Sequence, residues 1–195
     1  MTSSSPTSLA QRRRYRWLNF GVIVGSVLIC TLLLPARSLG TELLGVSPSW
    51  LLIWLVAWSV QRTGQEGAIA GAVLGVIHDS LTGYFPTHML GLILVGFLTG
   101  RIQKQRFIQE DFVSIAIIVF GMTVIAQTMM ALQISLHQLL WPASPYPRLA
   151  EIWFQHQRIA LSSAILSSLW APAVYYPLSR WWSHYERTMT PPGGQ

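Results

Sequence analysis

GAIAGAVLGVIHDSLTGYFPTHMLGLILVGFLTG, residues 67–100, holds two apolar runs separated by one polar break. The first run starts at Gly67, passes Ile77 and ends on His78 and Asp79. Gly83 and Pro86 then interrupt any helix, and the second run covers His88–Gly100. Both runs are short for about 30 Å of hydrocarbon at a rise of about 1.5 Å per residue. They fit either two full spans or a shallow re-entrant hairpin.

Gly67, Gly71 and Gly75 recur every fourth residue, and Gly96 and Gly100 repeat the spacing in the second run. That spacing keeps the glycines on one helix face, where a second helix can approach closely. Packing within the chain, against the next run or the last one, is the expected use. Docking of a partner subunit is the alternative.

Asp79 is the one acid at or near bilayer depth. A carboxylate near the centre of a spanning helix costs at least about 2.5 kcal/mol, and less at a helix end. Tying the Gly83–Thr87 turn is its expected task, and a polar site within a cavity the alternative. His78 is its chain neighbour, and adjacent helical residues do not face each other, so the two are not a ready dyad. His78 reads as an interfacial histidine.

The same pattern extends in both directions. Hydrophobic residues form 51% of the 195 and charged residues only 10%, against about 25% charged in ordinary soluble domains. Before the glycine block, a polar turn at Arg62–Glu66 follows an apolar stretch over 47–60, with Trp50, Trp54 and Trp58 in one stripe. Lipid-facing or intramolecular packing is expected for the stripe, and contact with a partner is the alternative. Trp17, Trp141, Trp153, Trp181 and Trp182 fit interfacial belts.

The first span covers 17–34 and stays attached rather than being cleaved as a signal peptide. After a charged connection at 101–111 comes a long span over 112–136, in which Gln127 and Gln133 can hydrogen-bond across helices. An interfacial loop with three prolines is expected over 141–157, then a last span over 159–178 kinked at Pro172. The fold class is therefore all-α, a polytopic membrane helix bundle of about six spans. Residues 1–16 are expected to be a disordered basic cytoplasmic tail, 17–180 the transmembrane domain and 181–195 a polar cytoplasmic tail.

Net charge is +6, but the basic residues sit in short connections, with no aromatic-interleaved patch for nucleic acid. With the N-terminus inside, cytoplasmic segments hold ten Lys and Arg and outer segments hold only Arg37, Arg148 and Arg158. This bias places both termini in the cytoplasm and the protein in a bacterial inner membrane. It is the same for two full spans or a re-entrant pair.

Cys30 stands alone, so no intramolecular disulfide forms. H-E-x-x-H, G-x-S-x-G and G-x-x-x-x-G-K-[ST] are absent. His88, His137, His156 and His184 look scattered, without carboxylates at ligand spacing, and Glu110 and Asp111 are a thin basis for a metal. No catalytic residue, cofactor or metal is expected.

Gly71, Gly75, Asp79 and Gly91, in this order and spacing, resemble the core of the MreD family of rod shape-determining proteins. That core has a glycine-rich span ending in an acid, a short turn, and Leu-Gly opening the next span. Tyr84–His88, with Pro86 and His88, departs from it. The resemblance implies a non-enzymatic membrane component of the cell-elongation complex, linking cytoskeleton and peptidoglycan synthesis. It implies MreC, MreB, RodA and a penicillin-binding transpeptidase as partners. The family's fold in turn looks like the substrate-binding subunits of energy-coupling-factor transporters. This sets up the alternative, a vitamin-like small-molecule binding subunit, for which Asp79, His88, Gln127 and Gln133 are the candidate polar groups.

Overall fold

The structure, a computed structural model, describes residues 9–34, 46–83, 85–102, 112–141 and 149–189. Six helices form among them: α1 (Leu9–Leu32), α2 (Trp50–Ser59), α3 (Gly64–Thr82), α4 (His88–Ile102), α5 (Phe112–Leu140) and α6 (Leu149–Met189). Three are long and apolar enough to cross a membrane, over Arg13–Leu32, Phe112–Leu140 and Ala150–Tyr185.

The centre of the bundle is α2, which touches all five other helices. Nine of its ten residues are buried. A helix that is apolar all round belongs inside a protein or in lipid, and here its ten residues reach only about 15 Å. Its start is therefore enclosed by protein. The Ser49 backbone N–H donates to Ser167 Oγ at 2.9 Å, and Ser49 Oγ pairs with Ser163 Oγ at 3.1 Å. The first of these bonds satisfies a backbone N–H that lipid cannot. On the opposite flank, the Trp54 indole N–H donates to Ser26 Oγ on α1 at 2.8 Å.

A short turn leads from α2 to α3, and α3 starts on a capping box. Thr63 Oγ1 accepts from the Glu66 N–H at 3.4 Å, and Glu66 Oε2 accepts from the Thr63 N–H at 3.0 Å. α3 then runs antiparallel to α4 with the two backbones in contact. A Cβ on Gly71 would stand 2.6 Å from the Leu92 carbonyl carbon, one on Gly96 2.6 Å from the Gly67 carbonyl carbon, and one on Gly75 2.8 Å from Met89 Cβ. One on Gly100 would meet Gly64 Cα at 2.8 Å. Side chains at these positions would hold the pair apart.

Helix ends differ from the sequence expectations. α1 reaches back to Leu9, so Leu9–Arg16 is helix rather than disordered tail; residues 1–8 lie outside the described residues. The expected loop over 141–157 is helical from Leu149, because its prolines all precede that residue and Glu151 favours a first turn. α6 continues through Pro172 and Pro177 to Met189, so most of the expected polar tail is helix. Trp182 is 2% exposed and packs in the core rather than in an interfacial belt.

Candidate functional site

Where α3 ends and α4 begins, polar groups converge at one end of the hairpin. The turn is set by Gly83, whose φ of 120° is open to glycine and strained for other residues; its N–H donates to the Asp79 carbonyl at 2.9 Å. The chain then returns so that Thr87 becomes the residue preceding α4, and Thr87 Oγ1 accepts from the Met89 N–H at 3.1 Å.

Asp79 completes this cap from the facing helix. Its Oδ1 accepts from the His88 backbone N–H at 2.7 Å, and its Oδ2 accepts from Thr87 Oγ1 at 2.5 Å and, more weakly, from the Met89 N–H at 3.4 Å. An anion at the N-terminus of a helix meets unpaired N–H groups and the positive end of the dipole. The carboxylate thus couples the end of α3 to the start of α4. From α5, Gln133 locks the same turn: its Oε1 accepts from the Thr87 N–H at 3.2 Å, and its Nε2 donates to the Thr87 carbonyl at 2.9 Å.

The histidines here are not scattered. His88 Nδ1 lies 2.9 Å from Asp79 Oδ1, and the His78 ring sits edge-on to the His88 ring with centroids 3.8 Å apart. Sequence spacing hides this, because His88 lies nine residues from Asp79 across a turn rather than on one helix face. His78 and Asp79 are brought to one site through His88 and not through a direct dyad.

His78 and His88 also line a cavity of about 340 Å³, which Ser49, Trp50, Gln127 and Ser163 border from α2, α5 and α6. Gly91 forms part of that wall, and a Cβ on it would meet the Ala126 carbonyl of α5 at 3.2 Å. Sequence reasoning missed the serines. The available signal was the spacing of small residues on α6: Ala160, Ser163, Ala164, Ser167 and Ala171 are all buried, at separations that fall on one helix face.

Of the other singled-out residues, Trp50 borders the cavity and the rest stand apart from the hairpin end. Gly67, Gly96 and Gly100 lie at the opposite end of α3–α4. Trp50 and Trp54 are buried, Trp50 edge-on to Trp170 at 5.4 Å and Trp54 stacked on Trp58 at 6.1 Å. Trp58 in turn lies under the Arg62 guanidinium at 5.4 Å, a cation–π contact. Glu110 and Asp111 fall outside the described residues.

Neither a curated protein nor a solved structure matches the chain. A family model does, that of the rod shape-determining protein MreD, over residues 11–175. The match takes in nearly all of α1, α2 to α5 with the Asp79 hairpin, and most of α6, and on it the chain belongs to the MreD family of rod shape-determining proteins.

Proposed function

We propose that this chain is a non-enzymatic, polytopic scaffold of the cell-elongation complex, joining the cytoskeleton to peptidoglycan synthesis through MreC, MreB, RodA and a penicillin-binding transpeptidase. The family match over residues 11–175 carries this reading, since the family's role is rod-shape determination. The use of Asp79 supports it. Both carboxylate oxygens serve the start of α4, which is the work of a structural anchor. α1, α5 and α6 cross the membrane as long helices; α2 crosses inside the bundle, enclosed by the other helices, and α3 and α4 cross as an antiparallel pair, six crossings in all. Both termini then face the cytoplasm, and the Asp79 turn lies at the outer end of the bundle.

Affinity purification of the full chain in mild detergent, followed by mass spectrometry, tests the proposal. Recovery of MreC and the wall synthases is expected. Recovery of an ATPase module without them would replace the scaffold with the second reading, a small-molecule binding subunit. That reading draws on the cavity of about 340 Å³, a size at the lower end of small-ligand sites.

A further inference from the structure

We propose that His78, Asp79 and His88 form a site for one divalent transition-metal ion of the zinc type, at the edge of the cavity between α2, α4 and α5. Each residue offers one donor atom, and the three donors lie within 4.8 Å of one another. Zinc takes imidazole nitrogen at about 2.0–2.1 Å and carboxylate oxygen at about 2.0–2.2 Å, so a tetrahedral ion holds its donors about 3.4 Å apart. One pair, His88 Nδ1 and Asp79 Oδ1, is already at 2.9 Å. Against the 4.8 Å limit on the other separations, the remaining closure is at most about 1.4 Å.

A second observation points the same way. His78 Nδ1 is buried and has no hydrogen-bond partner. A buried ring nitrogen left without a partner costs free energy, and a bound cation accepts its lone pair. Asp79 can ligate without releasing α4, because an ionised carboxylate has about four lone-pair sites and the cap occupies fewer. Two imidazoles and one carboxylate match the borderline donors that zinc, cobalt and nickel prefer over magnesium or calcium. Three protein ligands leave a fourth position, and His78 and His88 both line the cavity. The proposal is independent of the scaffold reading: a metal here can fix the hairpin end whatever the bundle binds.

The test uses the purified full chain with any affinity tag removed, in detergent, with Zn²⁺ or Co²⁺ as the only probe. Competition against a chromogenic chelator is expected to give one Zn²⁺ per chain, with affinity weakened on the order of tenfold or more in each of His78→Phe and His88→Phe. Co²⁺ is expected to give the intense visible absorption of a four-coordinate site in the wild type and to lose it in both variants. Unfolding in EDTA controls for folding. The Phe variants should match the wild type there, and only the wild type should gain stability when Zn²⁺ is added. If a Phe variant misfolds in EDTA, the corresponding Gln variant takes its place. Absence of stoichiometric Zn²⁺ binding overturns the proposal. So does binding that is equally tight in the wild type and the folded double variant, or a weak octahedral Co²⁺ spectrum without stabilisation.

Discussion

Adding a single methyl group at Gly71 tests whether backbone contact holds α3 to α4. Taken alone, Gly→Ala in a helix interior is favourable by about 0.8–1 kcal/mol, because glycine loses more backbone entropy on folding. At Gly71 the new Cβ would stand 2.6 Å from the Leu92 carbonyl carbon and 2.9 Å from the Ile93 nitrogen. Both are backbone atoms, so no rotamer change relieves the overlap, and the helices must separate by about an ångström. A radial gap of about 0.5–1 Å already forfeits a quarter to a half of each dispersion contact. The close contacts at Gly67, Gly75 and Gly96 weaken with it. Overpacking costs typically about 1–3 kcal/mol, and a backbone neighbour places this site at the upper end. The net expectation is a loss of about 2 kcal/mol. Gly121→Ala on α5 is the matched control: nothing beyond its chain neighbours and its own helix backbone lies within 4 Å of its Cβ, so a gain of up to about 1 kcal/mol is expected. Equilibrium unfolding in mixed detergent and denaturant, followed by tryptophan fluorescence, measures both. Opposite signs are required. A Gly71→Ala protein as stable as Gly121→Ala would refute backbone contact as the basis of the hairpin.

Three further outcomes are expected. Asp79→Asn keeps an acceptor oxygen for the α4 cap and should retain much of the shape-maintaining function in a deletion strain, while Asp79→Leu leaves that cap incomplete and should lose it; full loss in Asp79→Asn at normal abundance would show that the charge itself is needed, for titration or for holding a metal. Val73, 56% exposed on the face of α3 away from α4, should tolerate Ala without loss of abundance or function, and a deficit would place a contact on that face. Alkaline phosphatase fused after Gln195 should be inactive and fused within residues 141–157 active, and the reverse pattern would invert the proposed topology.

The all-helical class was legible in the sequence because charge is excluded from long blocks, and no other spanning structure tolerates such runs. The place of each block in the bundle was not. Lipid tails are as apolar as a protein interior, so a stripe such as Trp50, Trp54 and Trp58 reads the same whether it faces lipid or other helices. Length was the available clue. Ten helical residues span only about 15 Å of the roughly 30 Å of hydrocarbon, so α2 and the non-helical backbone before it need a protein surround, and the serines of α6 supply the bonds at its start. The prolines at 142–147 misled in the opposite sense. Read alone they mark a long loop, yet they end just where α6 begins.

The hairpin end shows a sharper limit. Spacing rules connect residues three or four apart on a helix, and from that alone Asp79 has His78 as a neighbour facing elsewhere. Its bonds instead go to Thr87, His88 and Met89, eight to ten residues on, because Gly83 lets the chain reverse. The close approach of α3 to α4 then sets their register. Gly75 meets Met89, so the next turn of α3 carries Asp79 to the free N–H groups that open α4. The glycine repeat and the acid are thus parts of one device: the small residues permit contact, and the carboxylate fixes where along the helices that contact ends. A sequence read one helix at a time contains both parts but not their relation, and His88 gains its meaning only from that relation.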